Sequence, residues 1–231
     1  MKRRPQNQLL SICGGSFLLL AATFSGAMAV GQERTGKTPP PAFARYLEGE
    51  EHRGAAIDAV RRHGESLPNS CKTMNFALVG QVAIYAPIRM EGGKPAEGAW
   101  TEPATGTGCG KTQHFTIFTI VAPGKPVVTL ALLPGDTRAD PILERDGVIE
   151  VIHATAAVQG ACKDMIITDT RFDDWEGGPV KGALRAPEAR PWRETWTVWA
   201  CSKLVDVSIH FMPNGRGTLI SAPVAEVRAH P

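Results

Sequence analysis

The apolar positions of the C-terminal part of the chain change period partway along. Asp140-Pro141 supplies a helix N-cap and a first-turn proline. Val148, Val151, Ile152 and Thr155 then recur at i, i+3, i+4 and i+7, which predicts a helix closed by Gly160. After Cys162 the period becomes two. Val205, Val207, Ile209 and Phe211 alternate up to Pro213-Asn214-Gly215, and Thr218, Leu219 and Ile220 resume the strand, a hairpin signal. The first half reads the same way with a weaker helix. Ile57, Val60 and Leu67 form the stripe, with Gly64 or Pro68 as its end. Phe76, Leu78, Gly80, Val82 and Ile84 alternate after it, as do Phe115, Ile117 and Thr119, and Val127 to Leu133 is a continuous β-rich run. The expectation is an α+β fold, a helix followed by an antiparallel meander, built twice as tandem repeats over 46–133 and 138–231. The two meanders are expected to form similar layers, either separate or sharing one extended sheet, joined by Pro134-Gly135-Asp136-Thr137.

Laying the chain on itself strengthens the repeat. Cys71-Lys72-x-Met74, Trp100-x-Glu102, Cys109-x-Lys111 and Ile117 align with Cys162-Lys163-x-Met165, Trp192-x-Glu194, Cys201-x-Lys203 and Ile209, at an offset of 91 for the first group and 92 for the others. In both halves Trp precedes the second Cys by nine residues and Glu precedes it by seven. An ancient duplication is the reading favoured over coincidence.

The N-terminus changes the setting. Lys2, Arg3 and Arg4 precede an apolar stretch from Ile12 to Phe24, and Ala27-Met28-Ala29 is an A-x-A site. Residues 1–29 read as a signal peptide cleaved to leave Val30 first. The stretch is shorter than the roughly 20 residues that span a membrane. Residues 30–45, with Pro39-Pro40-Pro41, read as a flexible lead-in. Cleavage lowers the 25 basic residues to 22 against 23 acidic ones, so no strong positive field remains for nucleic acid, and no membrane contact is expected after cleavage. The setting is periplasmic or secreted. There Cys71, Cys109, Cys162 and Cys201 are expected to form disulfides within repeats, Cys71 with Cys109 and Cys162 with Cys201. Their wide spacing lacks the close pairs of zinc sites and the C-x-x-C of thiol oxidoreductases.

No nucleophile elbow, metal-binding helix or phosphate loop is present in the sequence, and neither cofactor nor metal is expected. His63-Gly64-Glu65-Ser66 reads as a helix end. Asp169, Asp173, Asp174 and Glu176 before Gly177-Gly178 read as an acidic strand end, with calcium as the alternative. Gly106, Gly108 and Gly110 read as relief of crowding around Cys109. Trp192, Glu194 and Trp196 share one strand face, and Trp100 and Glu102 repeat the pattern. Three readings stay open: an architectural element of each half, in which Glu194→Gln is mild, a general acid whose carboxyl is flanked by indoles, or an exposed aromatic binding patch.

The ending Trp192-x-Glu194-x-Trp196-x-Val198-x-x-Cys201, followed by Val207-x-Ile209-x-Phe211-x-Pro213-x-Gly215, resembles the C-terminus of uncharacterised exported bacterial proteins. That resemblance implies no activity. Tandem α+β repeats with one disulfide each are also similar in architecture to secreted bacterial inhibitors of β-lactamase, a likeness that carries no function. The leading expectation is a non-catalytic exported module that binds a protein or small-molecule ligand through a sheet face. The alternative is a periplasmic hydrolase whose site is assembled from scattered residues.

Overall fold

The computed structural model describes residues 39–160, 162–178, 190–214 and 216–231. The expected signal peptide, residues 1–29, and residues 30–38 of the expected lead-in lie outside them. The rest of that lead-in is ordered differently from expectation. Pro41 opens helix α1 (Pro41–Glu48), and Phe43 is fully buried edge-on against Trp100, ring centroids 5.0 Å apart. A proline tract ending at a helix's first position starts that helix instead of prolonging a coil. Burying a Phe side chain stabilises by about 1.5–3 kcal/mol, enough to hold the short helix down.

Helix α2 (Glu50–Ser66) covers a sheet made of β1 (Asn75–Leu78), β2 (Ala83–Glu91), β3 (Lys94–Gly108), β4 (Lys111–Val121) and β5 (Val128–Ala131). The long β3 pairs antiparallel with β1, β2 and β4, and β5 closes the β4 edge. The alternation read from Phe76 to Ile84 is therefore two strands, broken where Gly80 takes φ +74°. Helix α3 (Pro141–Gln159) covers the second sheet. That sheet comprises β6 (Met165–Trp175), β7 (Trp192–Ala200), β8 (Lys203–Asn214), β9 (Gly217–Ser221) and β10 (Val227–Ala229). Asp140 Oδ1 accepts from the N–H groups of Ile142 and Leu143, the cap expected there, and Gly160 ends the helix at φ +79°. Val205, Val207, Ile209 and Phe211 all point into the core between α3 and the sheet.

The fold is α+β, with two antiparallel five-stranded sheets in place of one extended sheet. The connection between them is structured. Asp136 pairs with Arg171 in a parallel bridge, Gly135 N–H donates to His114 O, and Gln113 Nε2 donates to Thr168 O.

Disulfides join Cys71 to Cys109 and Cys162 to Cys201 across 38 and 39 residues. Each second cysteine begins a two-residue hairpin loop. Cys109-Gly110 links β3 to β4 with φ 48° and 72°, and Cys201-Ser202 links β7 to β8 with φ 50° and 63°. Positive φ at both central residues is the type I′ requirement, whose twist matches paired strands. Each disulfide thus pins a hairpin tip to the segment entering the first strand of its sheet. Gly108 fits this crowding: a Cβ there would lie 3.0 Å from Cys71 Sγ.

Candidate functional site

The Trp-Glu stripes lie in the core. Trp100 and Trp196 have no exposed surface, and Glu102, Trp192 and Glu194 are buried. They do not form an exposed binding patch. Period two gathers Trp192, Glu194 and Trp196 on the face of β7 that α3 covers, and Trp100 and Glu102 on the face of β3 beneath α1 and α2. Trp100 Nε1–H donates to Glu102 Oε2 at 3.0 Å, and His52 of α2 donates Nε2–H to the same oxygen at 2.7 Å. In the second half the carboxylate is more fully satisfied. Glu194 accepts from Trp192 Nε1 (2.8 Å), Trp196 Nε1 (2.8 Å), Thr137 Oγ1 (2.7 Å) and the Arg138 backbone N–H (2.8 Å). Four donors fill the four lone-pair sites of an ionised carboxylate, which is how a charge survives complete burial.

A second carboxyl sits close by and is held differently. Glu144, one turn into α3, is 3% exposed, and its Oε2 accepts the Leu133 N–H at 3.1 Å. Burial pushes its pKa up to about 8; the neighbouring charges of Glu194 and Asp140 add to the rise, and the Leu133 hydrogen bond opposes it. At neutral pH it is a carboxylic acid beside the fully bonded Glu194. Glu144 also lines a cleft of about 400 Å³ between the halves. One wall belongs to the first half, with Val82, Tyr85, Thr101, Pro103, Thr116 and Leu132. The other is Thr137, Ala139, Pro141 and Glu144. Thr101 and Thr116 sit on the strand faces turned away from Trp100 and Ile117, so this is the outward face of the first sheet.

The outward face of the second sheet is a web of polar pairs. Asp173 accepts from Thr195 Oγ1 at 2.7 Å and pairs with Arg171 and Arg193, and Asp206 accepts from Thr197 at 2.7 Å and contacts His230. His210 lies between Glu176 (2.8 Å) and Glu226 (3.0 Å). Burial works against its imidazolium, but the two carboxylates outweigh it and the pKa is raised. The expected acidic strand end is part of this web, and among the described residues no group of three or more His, Cys, Asp or Glu is arranged to hold a metal ion. Another cleft of about 480 Å³ lies by the disulfide-pinned tip of the first sheet. Its walls include Lys111, His114, Asp136 and Asp169, and burial is the main force raising the Asp169 pKa.

His63 and Ser66 close α2, with Ser66 Oγ donating to His63 O at 2.7 Å. His63 Nε2 is buried without a hydrogen-bond partner among the described residues, and burial lowers its pKa. Among the described residues no histidine is hydrogen-bonded to a serine, threonine or cysteine side chain.

Sequence reasoning did not single out His52, Thr137 or Glu144. His52 stands at the start of the true buried stripe of α2 (His52, Ala56, Ala59, Val60, Gly64), which small residues had made faint. Glu144 had a usable signal. It falls one turn before Val148 and Val151, on the apolar face of its helix, where an acid is out of place.

No known protein family matches the chain, and neither a curated protein nor a solved structure matches it.

Proposed function

We propose that the chain is an exported, non-catalytic binding module, and that its ligand occupies the cleft between the outward face of the first sheet and the start of α3. The observation that carries the reading is the cleft itself. It joins two covered sheets, has apolar walls and hydroxyls, and ends on a buried carboxyl group, the usual make-up of a ligand site at a junction between packed units. Export rests on the basic, apolar and small-residue succession of residues 2–29 together with the two disulfides. Periplasmic or secreted location, and origin of the two halves by duplication, belong to the same proposal. The matching hairpin cysteines and Trp-Glu bonds support the duplication.

Thermal shift against a panel of small polar metabolites tests the reading, using wild type and Thr116→Trp, whose larger side chain fills the cleft. Ligands that raise the wild-type melting temperature and lose that effect in Thr116→Trp are expected. Hits indifferent to Thr116→Trp, or none at all, would reject the cleft as the site.

A further inference from the structure

Among the described residues, the charge at the inner end of the cleft lacks a positive counterpart. Glu144 presents two oxygens: Oε2 takes the Leu133 N–H, and Oε1 has no hydrogen-bond partner among the described residues. Glu194 is already saturated by its four donors. Among the described residues, neither lysine, arginine nor histidine lines the cleft. Arg138 is next in sequence to Thr137, but it gives Glu194 only its backbone N–H and lays its guanidinium over Phe172, 4.4 Å from the ring centroid. Among the described residues, the charged groups acting on Glu144 are Glu194 from β7 and Asp140 at the head of its own helix, and both are negative.

Such an environment discriminates among ligands. An anion entering the cleft would meet the Glu194 charge across a medium that screens poorly. A neutral ligand would leave Glu144 protonated and the imbalance unchanged. A cation would supply the missing countercharge and allow Glu144 to ionise. A compact ammonium offers three N–H donors, and the lining includes Glu144, Thr101 and Thr116, residues whose carboxyl and hydroxyl oxygens can accept. Val82, Pro103 and Leu132 provide apolar surface for an attached alkyl group.

We propose, building on the cleft as the binding site, that it takes a small organic ammonium ligand paired to Glu144. Binding at neutral pH then transfers the Glu144 carboxyl proton to the buffer, leaving a carboxylate against the ammonium.

Calorimetric titration at pH 7 with n-butylammonium, in buffers of different ionisation enthalpy, tests it beside n-butanol and butyrate. Butylammonium is expected to bind with release of about one proton per ligand, because Glu144 passes from acid to carboxylate. Butanol and butyrate are expected to bind about tenfold more weakly or not at all, for want of a charge-assisted hydrogen bond. Glu144→Gln should keep the near-ultraviolet dichroism of the fold and lose both the affinity and the proton release. Butanol binding as tightly as butylammonium would keep the cleft as a site and overturn the ammonium assignment. Butylammonium binding equally to Glu144→Gln would overturn it by placing the ligand elsewhere. Failure of all three probes would overturn the ammonium assignment and weigh against the cleft as well.

Discussion

Trp192 and Glu194, two residues apart on β7, form a buried donor–acceptor pair: the indole N–H reaches Glu194 Oε1 at 2.8 Å while the indole stacks on Phe211, centroids 4.6 Å apart. Trp100 and Glu102 make the same bond at 3.0 Å on β3. Period two alone brings this about, since residues i and i+2 of a strand share a face. The pair is a local unit that any covered strand of this sequence would form.

The unit sets the cost of breaking it. Glutamine in place of Glu194 keeps the shape but substitutes an NH2 for an oxygen that receives two donors, so donor faces donor in a dry core. We expect Glu194→Gln to lose about 2–4 kcal/mol, the range for spoiling buried hydrogen bonds to a charged group, and not the mild effect that shape conservation suggests. Trp192→Ala should lose about 3–5 kcal/mol through the cavity it leaves. Urea unfolding of both variants decides it. A Glu194→Gln protein within about 0.5 kcal/mol of wild type would remove the carboxylate from the account of stability.

The strands and caps were legible because they depend on neighbours in sequence. Asp140 and Pro141 announce α3, and Val205 to Phe211 announce the buried face of β8. The hairpin tips were not legible. Cys109-Gly110 and Cys201-Ser202 replace the Asn-Gly that usually marks a type I′ turn, and the disulfides hold the cysteines at positive φ instead. The cleft was illegible for a different reason. Thr101 and Thr116 come from one half and Glu144 from the other, and only the structured passage through Asp136 sets them face to face.

Glu144 gives stability an unusual pH slope. Its carboxyl titrates near 4.5 when unfolded and at about 8 when folded. Between those values the folded chain holds a proton that the unfolded chain has released. Its contribution is therefore complete below the lower value and is lost as pH rises through the upper one. The slope approaches about 1.4 kcal/mol per pH unit inside that window. Glu144→Gln should flatten the slope, so that the variant gains on wild type as pH rises from about 4.5 to about 8 and the difference levels off above that. Denaturant unfolding at pH 6, 7, 8 and 9 measures this, and parallel curves for the two proteins would reject it.

His210 titrates in the opposite sense. Held between Glu176 and Glu226, it keeps its proton above the ordinary value of 6.5, and this contribution is present below the unfolded pKa and lost as pH rises through the folded one. Proton–carbon NMR of the imidazole should show a midpoint above 6.5 in wild type and a lower one in Glu226→Gln. An identical midpoint in the two would mean that Glu226 does not act on the ring.

Two helix glycines should respond to alanine with opposite signs. Gly54 lies on the exposed side of α2, and a Cβ there meets nothing within 4 Å. Gly147 lies on the buried side of α3, where a Cβ would come to 2.7 Å from Trp196 Cη2 and 3.1 Å from Ile209 Cδ1. Alanine restricts the unfolded chain similarly at both places and favours the helix, so Gly54→Ala should stabilise by about 0.5–1 kcal/mol. At Gly147 that gain is opposed by overpacking. The indole of Trp196 is fixed by its bond to Glu194, and the ring can retreat only by lengthening that bond. Gly147→Ala should therefore destabilise by about 1–3 kcal/mol. Thermal unfolding of the two variants under identical conditions tests the packing of α3 on β7 directly. A Gly147→Ala protein as stable as Gly54→Ala would mean that Trp196 moves freely beneath the helix, and that its hydrogen bond to Glu194 does not hold it in place.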